Sequence, residues 1–281
     1  MMRIFRIRTW FHPDIYESLV LSVFFFLIFG MLFSFGINTG LSAIWPGDEQ
    51  FVLKTMLSYV ATFLPALCWI YIRSQHSRKM DIEAAPERYD EIRPMAMPHA
   101  LFFVTAAVLM VAAAVVMEPL SYFVKMPENT VIYFRKLCSQ GLLSFFTLAM
   151  LPAFFEEFVF RGVILRGLLH HKPAYIAIFV SSFLFAFIHM NFAQGISAFL
   201  IGCLIGWIYY RTHSFKAVML MHFTNNALAF WMMQVAARSG AERLWEMIPN
   251  LYLYAGIYVA AVLVTIGLIL LLHLKTSSPA A

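Results

Sequence analysis

Phe154-Phe155-Glu156-Glu157-Phe158-Val159-Phe160-Arg161 sets two adjacent carboxylates and an arginine inside an apolar run that extends over residues 138–168. A helical crossing of a bilayer needs roughly 20 apolar residues, so this run is long enough to be one. Charges at such depth are costly and need partners or a task. On a helix Glu157 and Arg161 are i,i+4 neighbours in the favoured order and can neutralise one another. Glu156 is turned about 100° away from its neighbour and stays available.

The rest of the chain is of the same character. Of its 281 residues 62% are hydrophobic, 29 are Phe and only 12% are charged, and the mean hydropathy is +0.77. That composition excludes a soluble domain. Apolar runs fall at residues 17–40, 51–73, 98–119, 138–168, 174–190, 193–210, 215–236 and 250–273. The expected fold class is therefore all-α, a polytopic integral membrane bundle of about eight transmembrane helices. The net charge of +5 does not point to nucleic acid, because the basic residues sit in the gaps between apolar runs, where they orient a membrane protein. Arg3, Arg6 and Arg8 precede the first run, and Arg73, Arg78, Lys79, Arg88 and Arg93 follow the second, whereas residues 45–50 carry only Asp48 and Glu49. This bias predicts a cytoplasmic membrane location with both termini in the cytoplasm, although Lys125, Arg135, Lys136, Arg238 and Arg243 then lie in outer loops. The first run is too long for the apolar region of a signal peptide and reads as a retained anchor. Cys68, Cys138 and Cys203 are far apart and form no CxxC, so neither a disulfide framework nor a cysteine zinc site is expected.

Chemistry is concentrated after residue 140. Residues 1–140 read as a transmembrane scaffold with a polar loop at 73–97, residues 141–236 as the core that carries the ionisable residues, and residues 237–281 as a C-terminal helix and tail. No duplicated pattern relates the halves, which speaks against an inverted-repeat transporter. Ala198, Gly202 and Gly206 form a small-residue stripe suited to close helix packing. Pro152, four residues before Glu156, removes a helix hydrogen bond beside the carboxylates.

Two further spans carry polar residues: Phe185-x3-His189 ends one, and His222-x3-Asn226 lies on one face of another. A desolvated carboxylate and an imidazole can together deprotonate a water molecule. A second imidazole and an amide can donate to the oxyanion formed when water attacks an amide carbonyl. Ser144, Ser181, Ser182 and Ser197 lie in the same region without GxSxG context, so a serine nucleophile is not favoured. Buried Glu, His and Arg also suit a transporter or proton relay, and a non-catalytic scaffold or bacteriocin-immunity protein could carry the same residues.

In order, spacing and helical setting, Glu156-Glu157-x3-Arg161, Phe185-x3-His189 and His222-x3-Asn226 resemble the EExxxR, FxxxH and HxxxN motifs of the type II CAAX prenyl endopeptidases and the wider CPBP intramembrane protease family. The resemblance covers residues 150–230 and implies a peptidase. It implies that Glu156 and His189 activate water, that His222 and Asn226 form the oxyanion site, and that Glu157 and Arg161 support the first carboxylate. The implied substrate is a membrane-associated or membrane-embedded peptide, with a prenylated C-terminus or of bacteriocin type. No cofactor is expected on a glutamate mechanism. The alternative is a divalent metal such as zinc held by Glu156, His189 and His222, although HExxH and its inverted form are absent. Helix rise places His189 about 24 Å beyond Pro173 but His222 only about 16 Å beyond Arg211, so the two cannot lie level unless a helix tilts or starts outside the membrane.

Overall fold

The computed structural model describes residues 11–79, 96–240, 243–248 and 250–276, all helical or in short connections. The basic stretch before residue 11, most of the polar loop expected at 73–97 and the end of the tail lie outside these residues. Helix α1 (Ile15–Ile44) begins with a capping box, in which Asp14 accepts from the Glu17 backbone and Glu17 reaches back to Asp14. Next come α2 (Phe51–Lys79), α3 (His99–Met117) and the short α4 (Glu128–Leu137). Gly141, at φ +53, separates α4 from α5 (residues 141–171). A left-handed turn there suits only glycine, and it divides a 44-residue helical stretch too long for one crossing.

Pro173 starts α6 (Ala174–Phe187). Asn191 caps α7 (Phe192–Thr212) by accepting from the Ala193 and Gln194 backbones. After the left-handed His213, Ser214 caps α8 (Phe215–Ser239), which ends at Gly240. Asn250 caps α9 (Leu251–Lys275).

Among the described residues six stretches are long and apolar enough to cross a membrane: Ile15–Ile44, Asp48–Ser77, His99–Met117, Glu128–His171, Phe192–Thr212 and Leu251–Lys275. The expected number was about eight. Of the two runs that differ, α6 has 14 residues and is about 21 Å long, short of the hydrocarbon thickness. Helix α8 has the length, at 25 residues, but its Lys216, His222, Asn225, Asn226 and Gln234 dilute its apolar character. Both exceptions carry polar residues of the candidate site or end beside one. The chain is thus an all-α, multi-pass membrane-type bundle.

Helix α5 runs through the middle. Phe160, Val163, Ile164, Leu165 and Leu168 are fully buried, so its second half is enclosed on every side. Phe63 of α2 stacks on Phe155 at 5.0 Å, and Phe26 of α1 meets Phe160 edge-on. The small-residue stripe faces this centre: a Cβ on Gly202 would lie 3.1 Å from Ser182 and 3.2 Å from the Arg161 guanidinium, and one on Gly206 would lie 3.3 Å from Ile178. Outer faces are apolar and exposed, with Phe33 and Phe35 on α1 and Leu263, Ile266 and Leu270 on α9, as lipid contact requires.

Helices α1 and α2 pack tightly at Gly30, where a Cβ would sit 2.4 Å from the Thr62 carbonyl oxygen. That neighbour is backbone and cannot swing aside. Gly30→Ala should therefore destabilise the protein by about 1 to 3 kcal/mol, the usual cost of forced overpacking, and a lowered Tm in detergent would show it. An unchanged Tm would mean that α1 and α2 slide apart without loss.

Candidate active site

The carboxylates sit where α5 changes its winding. Residues Phe146–Met150 and Phe158–Leu165 are π-wound, with Leu151–Glu157 between them. The first wide turn ends with the Leu151 N–H donating to the Phe146 carbonyl, immediately before Pro152, which has no N–H to give. The second begins directly after Glu157 and carries Arg161. Such wide turns commonly mark functional segments of helices.

Glu157 and Arg161 are both fully buried and are joined at 3.0 Å, from the guanidinium Nη1 to the carboxylate Oε1. Arg161 also donates through Nη2 to the Gly202 carbonyl at 3.2 Å, a bond that needs the missing side chain at Gly202. Its guanidinium carbon lies over the Phe185 ring, 4.6 Å from the centroid. The same Glu157 oxygen is 2.7 Å from His222 Nδ1. A carboxylate can only accept there, so Nδ1 carries the hydrogen and the other ring nitrogen is turned toward Glu156, whose Oε2 lies 3.7 Å away. Glu157 thus orients His222 as well as balancing Arg161.

Glu156 is 8% exposed and is not left unpartnered: the Tyr59 hydroxyl of α2 donates to its Oε1 at 2.7 Å. Nothing in the sequence pointed to Tyr59. It stands 97 positions away in a segment read as scaffold, and one tyrosine in an apolar helix carries no pattern.

His189 lies in the turn just beyond α6, partly buried. Its Nδ1 is 2.8 Å from the Phe185 carbonyl, which can only accept, so Nε2 keeps a lone pair able to take a proton. Phe185 is the hub of the arrangement. Its ring meets His189 edge-on at 5.0 Å and His222 at 5.8 Å. Both histidines reach one phenyl ring despite their different distances along the chain: His189 follows Phe185 by four residues, and His222 comes to it from α8. Asn226, one turn beyond His222, accepts from Asn225 at 3.1 Å through its oxygen, a bond that does not use its NH2 group.

Ser181 donates to the Phe160 carbonyl at 2.9 Å and so joins α6 to α5. Cys68, Cys138 and Cys203 are free thiols. Among the described residues no three His, Cys, Asp or Glu side chains converge to hold a metal ion, and Tyr59 takes one oxygen of Glu156. As placed, Glu156, His189 and His222 do not fit a resident zinc.

A carboxylate, an oriented imidazole and a charge-balanced support, buried among membrane-type helices, form a cluster consistent with a catalytic site. Residues 138–228 match the family described as Type II CAAX prenyl endopeptidase Rce1-like, and the chain carries a domain of that family over those residues. The match includes every candidate residue from Glu156 to Asn226 and leaves Tyr59, α1 to α3 and α9 outside it. No curated protein and no solved structure matches the chain.

Proposed function

We propose that the protein is an intramembrane endopeptidase in which side chains activate the water. The observation that carries this reading is the buried pair of carboxylates, one held by Arg161 and the other facing His222. Glu156 and His189 take the proton from water as it attacks the scissile carbonyl. The tetrahedral oxyanion is met by the Asn226 NH2 and by His222, whose ring Glu157 orients. Glu157 holds His222 and Arg161 in register. The proton taken from water then passes to the leaving amine, which completes hydrolysis without a covalent intermediate.

In this reading the six long apolar stretches cross the bilayer, as do α8 and the short α6 extended by residues 188–190 of its apolar run, and both termini are cytoplasmic. Residues 141–236 are the catalytic core, residues 1–140 its scaffold, and the segment after residue 237 a closing helix. The substrate is a membrane-embedded or membrane-associated peptide. The CAAX-type domain favours a prenylated C-terminal peptide within that class.

Purified protein in detergent, given fluorogenic prenylated and unprenylated peptides with and without a chelator, tests the proposal. Cleavage that survives chelation supports the side-chain mechanism, and cleavage of the prenylated peptide alone supports the narrower substrate. No cleavage of either peptide counts against a peptidase. Loss of the Asn226 donor in Asn226→Ala should lower kcat by about 10² to 10³ with the fold intact. A loss no greater than about twofold, far below that donor range, would give Asn226 a packing role.

A further inference from the structure

We propose that Tyr59 is a positioning residue for Glu156, deciding which carboxylate oxygen faces the reacting water; this rests on the reading of Glu156 as the base. The terminal torsion of a glutamate is broad and roughly two-fold, so an unrestrained carboxylate exchanges its two oxygens freely. Here they are made different. Oε1 accepts from the Tyr59 hydroxyl at 2.7 Å, while Oε2 is turned toward His222 Nε2 at 3.7 Å. The 3.7 Å separation is too long for a direct hydrogen bond, so His222 cannot lock the carboxylate by itself.

The tyrosine is itself held in place. Its ring meets Phe63 edge-on at 5.2 Å, and Phe63 stacks at 5.0 Å on Phe155, the residue before Glu156. The three rings tie the rotamer of Tyr59 to the backbone that carries the carboxylate. Glu157 needs no such helper, because Arg161 and His222 both bind its Oε1. Tyr59 therefore does for Glu156 what Arg161 does for Glu157, but from α2 and through a neutral hydroxyl.

Tyr59→Phe removes the hydroxyl and keeps the ring. In full-length protein it should lower kcat by about 10- to 100-fold, the range set by a misplaced reacting group, with KM and Tm unchanged. Tyr59→Leu, which loses the ring as well, should lower Tm in addition. Wild-type kcat in Tyr59→Phe overturns the assignment. A parallel loss of kcat, KM and Tm in Tyr59→Phe also overturns it, since that pattern belongs to packing. An active wild type with an active Tyr59→Phe removes only the role of Tyr59, whereas a wild type that cleaves no peptide removes the proposed function and this inference together.

Discussion

Glu156→Gln and His189→Ala should each lower peptide hydrolysis by about 10² to 10⁴, the range set by removal of a general base, while the protein still inserts and purifies. Gln keeps an oxygen for the Tyr59 hydroxyl, so Glu156→Gln leaves no stranded donor and should unfold near the wild-type temperature. His189 lies in a turn past the end of α6 with one bond to a carbonyl of its own helix, so its loss leaves the helix packing in place. Steady-state cleavage beside a melting curve separates the two readouts. Either variant turning over at the wild-type rate would end the assignment of water activation to this pair.

Breaking the Glu157–Arg161 pair should have the largest effect on stability. Both side chains are fully buried, and removing one partner of a buried ion pair typically costs about 3 to 5 kcal/mol because the other charge is stranded. Glu157→Gln and Arg161→Met should each lower Tm or yield in detergent. Replacing both by apolar residues of similar volume should recover much of the loss, a coupling that a double-mutant cycle measures directly. Activity should not return with stability, because His222 loses the acceptor at Nδ1 that orients it. If unfolding instead couples Arg161 to Glu156 and leaves Glu157 independent, the two carboxylates exchange roles, and Glu157 becomes the base.

The helical membrane character was legible because it depends on local composition, and long apolar runs have one solution in a bilayer. The Glu157–Arg161 contact was legible for a similar reason, since a spacing of four residues fixes adjacency on any helix. The number of crossings was less legible. Helices α6 and α8 were counted as crossings from their apolar runs, but α6 stops at 14 residues and the polar side chains of α8 dilute its apolar character, so neither is both long and apolar enough. That His189 and His222 meet at one ring was hidden as well, because helix rise counts residues and says nothing about how one helix is set against another.

The sequence by itself determined the class of protein, the polar residues available for chemistry and the buried Glu157–Arg161 pair, whose partners share a helix. Only the tertiary structure decided that the Glu157 oxygen is shared between Arg161 and His222, that Phe185 brings both imidazoles to one ring, and that Tyr59 holds Glu156. Pairs within a helix follow from its fixed period. Contacts between helices depend on which faces pack, and here that is set by small residues such as Gly30 and Gly202 and by the wide turns of α5, whose effects on distant side chains appear only when the whole bundle is assembled.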